Sequence, residues 1–221
     1  MAVIRAFVFD MDGTILNTMP DLAEAANEAF GRMGFPQRTQ AELLELMGFG
    51  GRYLIEHAVP PSATPEQVAD TFNLWRELYL ASDYAKTAPF PGVVDVLTEL
   101  RARGARTAVL SNKFHDGAVL LAERHFPGLF DVVRGDAPPV PRKPDPTSLR
   151  QIMAELGVAP EEAVYIGDTP VDVATARNAD VAAVGVAWGY GKAAPLPLDE
   201  LDAFIRHPSE LLALTRVTGA R

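Results

Sequence analysis

From Ala2 to Phe9 every position is apolar except Arg5, the pattern of a strand buried on both faces of a parallel sheet. Apolar residues then recur at helical spacing. Leu22, Ala25, Ala26, Ala29, Phe30 and Met33 share one stripe, with Thr18 as the expected cap, Pro20 in the first turn and Gly34 at the end. A second helical piece is expected over Gln40 to Met47. It runs into Gly48-Phe49-Gly50-Gly51-Arg52, a flexible loop or the mouth of a binding site. Thr64-Pro65-Glu66-Gln67 is a capping box with proline at the first helical position. It opens a helix to about Ser82 along Val68, Phe72, Trp75 and Tyr79. From about residue 16 to 88 only helices are expected.

The pattern changes at Pro89-Phe90-Pro91-Gly92. A helix on Val93, Val96, Leu97 and Leu100, closed by Gly104, gives way to a strand from Arg106 to Leu110. A helix over Ala118, Leu121 and Ala122 leads to a short strand near Phe130 to Val133. Asp145-Pro146 opens a helix bearing Leu149, Ile152, Met153 and Leu156, closed by Gly157. Ala163 to Ile166 and Val181 to Val186 are two more strands. Such alternation implies an α/β fold, a Rossmann-like parallel sheet flanked by helices, interrupted after its first strand by an all-helical insertion. Residues 1–16 and 89–221 form the expected core and 17–88 the insertion.

Composition narrows the partners. With 48% hydrophobic and 22% charged residues the 221-residue chain is globular, and its net charge of −9 argues against nucleic acid. An anionic substrate would need local cations to overcome that field. The absence of cysteine excludes disulfides, thiolate metal sites and cysteine catalysis, and fits a cytoplasmic location. The apolar start carries Arg5 and ends in Asp10, unlike a signal peptide or membrane span. His57, His115, His125 and His207 are scattered, which favours surface or structural roles. Gly189 to Ala194 formally fits Gly-x-Gly-x-x-Ala, but Pro195 opposes a helix there, so a loop is expected.

In an open parallel sheet, ligands bind beyond the carboxyl ends of the strands, and the polar residues collect there. Asp10 and Asp12 follow the first strand, with Gly13 to turn the chain; Ser111-Asn112-Lys113 follow the second; Arg142-Lys143 lie beyond the third; Gly167-Asp168 and Asp172 follow the fourth. Each group alone has a bland reading as a solvated turn or helix cap. Paired buried carboxylates instead call for a divalent cation to neutralise them. Four such groups on one rim favour a site.

These residues, in this order, resemble the haloacid dehalogenase superfamily along essentially the whole chain. The matching motifs are Asp10-Met11-Asp12-Gly13-Thr14, Ser111, Lys143, and Gly167-Asp168 with Asp172; the helical insertion is similar to that family's cap. Gly48 to Arg52, Pro91-Gly92, Ser111-Asn112-Lys113 and Trp188-Gly189-Tyr190-Gly191 look most like the phosphoglycolate phosphatase branch, from which Phe114 departs where that branch often has proline. The resemblance implies a phosphatase acting on a small phosphorylated metabolite. Asp10 would be the nucleophile and Asp12 the acid and base. Mg²⁺ would be held by the Asp10 carboxylate, the Asp12 carbonyl and Asp168, with Asp172 in support. Lys143 would neutralise phosphoryl charge and orient Asp10. Ser111, Asn112 and Thr14 would bind substrate, and Arg52 is either a ligand for a substrate carboxylate or a surface residue opening a helix. A phosphomutase or pyrophosphatase on the same scaffold remains the nearest rival. A dehalogenase has no use for an acid at position 12, and a phosphoacceptor signalling domain would not benefit from one beside a long-lived acyl phosphate. Monomer and homodimer stay open.

Overall fold

The computed structural model describes residues 3–190 and 195–214; the expected loop at Gly191 to Ala194 lies outside them. Six parallel strands form the central sheet: β1 (Ala6–Phe9), β4 (Arg106–Phe114), β5 (Val132–Asp136), β6 (Ala163–Gly167), β7 (Ala182–Val186) and β8 (Ala203–Ile205). Their order is β5-β4-β1-β6-β7-β8, so β1 is central, with Phe9 level with Val109 on one side and Ile166 on the other. Alternation splits β1 between two cores. Phe7 and Phe9 enter one, with Leu97, Leu100, Leu121 and Phe126; Ala6 and Val8 enter the other, with Leu149, Ile152, Val173 and Ala176. Both faces of the sheet are therefore covered by helices α5 (Val93–Ala102), α6 (His115–His125), α7 (Thr147–Leu156) and α8 (Pro170–Asn178), which explains why β1 is apolar at successive positions.

Between β1 and α5 lie α1 (Met19–Arg32), α2 (Gln40–Leu44), α3 (Gly51–Ala58) and α4 (Pro65–Ala81). The capping box of α4 forms as the sequence implies: Gln67 N–H donates to Thr64 Oγ1 at 3.2 Å and Thr64 N–H to Gln67 Oε1 at 2.9 Å. Five departures from these expectations appear. The segment is not purely helical, because Leu16–Asn17 (β2) and Ala88–Pro89 (β3) pair antiparallel where the chain leaves and rejoins the core. Two residues per strand give too short a pattern to read. The strand expected to end at Leu110 continues to Phe114 through an irregularity in its pairing with β5, which itself begins two residues later than expected. Edge strand β8 was not foreseen. Finally, α2 stops at Leu44, short of Met47.

The first core does not end at the sheet. It continues through Met11, Ile15, Leu16 and Leu22 into Leu54, Ile55, Trp75 and Tyr79 of the helical segment. Phe114, at the tip of β4, meets Trp75 and Tyr79 edge-on, with ring centroids 5.9 and 6.1 Å apart. The residue that departs from the branch pattern is thus the one on which α4 rests. Among the described residues no helix is long and apolar enough to cross a membrane.

Candidate active site

The carboxyl ends of β1, β4 and β6, with the chain beyond β5, converge beneath α1, α3 and α4. Asp10 is 4% exposed and continues β1, its N–H donating to Ile166 O at 2.8 Å. Lys143 is equally buried. Its Nζ donates to Asp172 Oδ1 at 2.7 Å and to the Tyr165 hydroxyl at 2.9 Å, and lies 2.9 Å from Asp10 Oδ1 as an ion pair without hydrogen-bond geometry. Tyr165 donates in turn to Leu110 O, so the ammonium is held by groups from two strands and a helix. Asp172 is fully engaged: its other oxygen accepts from Thr169 N–H and Oγ1 at the start of α8. It supports Lys143.

Asp168 is fully buried. Oδ1 accepts from Thr14 Oγ1 at 2.8 Å and Oδ2 from Tyr190 N–H at 2.6 Å. Gly13, at φ +89°, leaves room for this arrangement, since a Cβ there would overlap the Asp168 carboxylate. Thr14 therefore orients Asp168 and does not line the cavity above Asp10. Oxygens of Asp10, Asp168 and Asp172 lie within 4.8 Å of one another, and the first and last of these pair with one ammonium, Lys143 Nζ. Burial pushes the Asp10 carboxyl up to about 6 despite Lys143. Burial, followed by Asp172 and Asp10, holds Asp168 well above the usual carboxylate range. Burial alone would lower Lys143, but Asp10 and Asp172 hold its ammonium well above the ordinary value. The cluster has three carboxylates to one ammonium and offers hard oxygen donors. It fits a divalent cation.

Asp12 lines the same cavity as Asp10. Its Oδ1 accepts from Thr18 Oγ1 at 2.7 Å, and Lys113 Nζ lies 3.1 and 3.3 Å from its two oxygens. Thr18 precedes α1 but spends its hydroxyl on Asp12; the N–H groups of Thr18 and Met19 donate instead to the Tyr190 hydroxyl at 2.8 and 3.0 Å. A cavity of about 30 Å³ separates Asp10 and Asp12 from an apolar roof of Leu22, Leu46, Met47, Leu54 and Trp75.

Ser111, Asn112 and Lys113 also line this cavity. The Asn112 amide is engaged with protein: Nδ2 donates to Gly48 O and Lys143 O at 2.9 and 3.1 Å, and Oδ1 accepts from Lys143 N–H at 2.9 Å. It ties the 48–50 loop to the Lys143 loop. Arg52 is brought to neither. Its guanidinium lies over the Phe72 ring, 3.5 Å from Glu56, beside an adjoining open cleft that also contains Arg76 and Arg142. Sequence reasoning assigned no role to Lys113, Tyr165 or Tyr190. Lys113 stood in the quoted Ser-Asn-Lys triplet, whereas Tyr165 read as one more apolar strand residue.

A sequence profile described as haloacid dehalogenase-like hydrolase matches residues 7–186. A phosphoglycolate phosphatase of Vibrio parahaemolyticus is 30% identical over 98% of both chains. A crystal structure from Lactobacillus delbrueckii subsp. bulgaricus, provisionally assigned as a phosphoglycolate phosphatase, is 29% identical and covers 97% of this chain and 99% of its own, with a TM-score of 0.89. CbbY of Rhodobacter sphaeroides, solved in complex with phosphate, is 26% identical over 94% of this chain and 96% of its own, with a TM-score of 0.78.

Proposed function

The chain belongs to the haloacid dehalogenase-like hydrolases and is a phosphatase, and we propose that it is Mg²⁺-dependent, acting on a small phosphate monoester of the phosphoglycolate type through an aspartyl phosphate. The observation that carries this reading is the buried set of Asp10, Asp168 and Asp172 against the single ammonium of Lys143. Asp10 and Asp168, with the Asp12 carbonyl, would hold Mg²⁺, which when bound supplies charge neutralisation for the phosphoryl group. A carboxylate oxygen of Asp10 attacks phosphorus, and the bond to the leaving oxygen breaks. Asp12, held by Thr18 and Lys113, gives a proton to that oxygen. It then takes one from the water that attacks phosphorus, releasing phosphate and restoring the Asp10 carboxylate. Lys143 fixes Asp10 from behind and offsets charge; Ser111 lies on the wall where phosphoryl oxygens would sit.

Residues 17–88 form a cap in this reading. Two adjacent crossings at β2 and β3 join it to a core that already holds the reacting carboxylates, so it can move without disturbing the sheet and, when closed, exclude water. The test is phosphate release from a panel of monoesters including phosphoglycolate, with Mg²⁺ and after complete chelation. Turnover that depends on the ion supports the reading. Full turnover without any divalent ion overturns it.

A further inference from the structure

The cavity above Asp10 is roofed by aliphatic and aromatic side chains, yet among the described residues one cation lines it, Lys113. Its side chain is 3% exposed, and the ammonium sits over the face of Tyr79, 4.5 Å from the ring centroid. Lysine carries three donors, and Asp12 occupies one side of this one. Lys143 does not line the cavity and is committed to Asp10, Asp172 and Tyr165. Arg52, the other candidate, lies over Phe72 in the neighbouring cleft.

We propose that Lys113 is the specificity-determining residue of the site, receiving the carboxylate of a short phosphorylated hydroxy acid while the phosphoryl group faces Asp10. The inference rests on the phosphatase reading and narrows its substrate class. A buried ammonium in an apolar chamber is a strong ligand for an anionic group, because little water competes for it. A neutral leaving group entering the same space would leave its remaining donors unsatisfied, and a site left with unpaired buried polar groups rejects such an analogue. The space above Asp10 is narrow, so a short leaving group needs less displacement of the roof than a long one.

The experiment compares kcat/KM for phosphoglycolate and for ethyl phosphate, which differ by the carboxylate, in wild type, Lys113→Met, Lys113→Arg and Arg52→Ala. Because Lys113 also touches Asp12, the readout is the ratio of the two constants, in which an effect common to both substrates cancels. The ratio is expected to fall about 10- to 100-fold in Lys113→Met, carried mainly by KM for phosphoglycolate. It should be retained within severalfold in Lys113→Arg, even where the larger head slows turnover. Equal losses on both esters would show that Lys113 serves Asp12 alone and would overturn the assignment. So would an unchanged ratio, or a fall confined to Arg52→Ala. If wild type hydrolyses ethyl phosphate but no phosphorylated hydroxy acid, the inference fails and the phosphatase reading stands. If it hydrolyses neither with Mg²⁺ present but turns over other esters of the panel, the inference and the phosphoglycolate-type reading both fail. Lys113→Arg keeps the test decisive should Lys113→Met fail to fold.

Discussion

Two carboxylates, two residues apart, have different surroundings, which fit the different roles proposed for them. Asp10 faces Lys143 and the other buried carboxylates, whereas Asp12 faces Thr18, Lys113 and the cavity. Asp10→Asn should abolish phosphoenzyme formation, read by acid quench after mixing with substrate. Asp12→Asn should slow turnover of alkyl phosphates by about 10²- to 10⁴-fold while sparing part of the transfer from activated leaving groups. Wild-type rates on alkyl phosphates would exclude the role given to Asp12. The ionisation of Asp10 also predicts how stability depends on pH. Its folded value of about 6 exceeds the ordinary carboxylate value of 3.8, so between these limits the native state binds more protons than the unfolded chain. Stability of the metal-free protein should therefore decline as pH rises from about 4 through about 6, and Mg²⁺ should restore it at neutral pH. Thermal unfolding in chelator at pH 5.5 and 7.5 measures this. The decline should shrink in Asp10→Asn, and its persistence at full size there would assign it to other groups.

At the scale of elements, side chains hold the strand ends and helix starts in register. Thr14 links the turn after β1 to Asp168 after β6, so Thr14→Val should weaken Mg²⁺ binding about 10- to 100-fold, as loss of a group orienting a metal ligand does. Titration of activity and of thermal stability against Mg²⁺ would reveal it. The central strand resists truncation. Phe9 is 2% exposed and packs edge-on to Phe130, so Phe9→Ala should destabilise by about 3 to 5 kcal/mol in denaturant unfolding. These strands and their helices were readable because each repeats its pattern over enough residues. The elements that escaped were the two-residue ribbon, edge strand β8, and the continuation of β4 through the polar triplet Ser111 to Lys113. A pattern two or three residues long carries little periodic information, and polar residues at a strand's end look like the turn that follows.

Across the whole molecule, the helical segment and the sheet share one apolar core, and Asn112 and Arg142 donate to carbonyls of Gly48 and Phe49 from the core side. Opening of the proposed cap would break these ties. Backbone amides of residues 48–52 should therefore exchange hydrogen faster in the free protein than with Mg²⁺ and vanadate bound, while those of β1 and β6 stay protected. Equal protection in both states would argue against a moving cap. By itself the sequence determined the parallel sheet, the helical insertion and the gathering of Asp10, Asp12, Ser111, Asn112, Lys143 and Asp168 at one rim of the sheet. Those depend on local periodicity, on glycine at a tight turn, and on carboxylates placed at strand ends where no partner was near in sequence. Only the tertiary structure decided which cation serves which carboxylate. Lys143 went to Asp10 and Asp172, Lys113 to Asp12, and Arg52 turned away to Phe72. Lys113 lies 101 residues from Asp12 along the chain, and the pairing of a flexible side chain with a partner that remote is set by how the sheet brings strand ends together and by which neighbours exclude water.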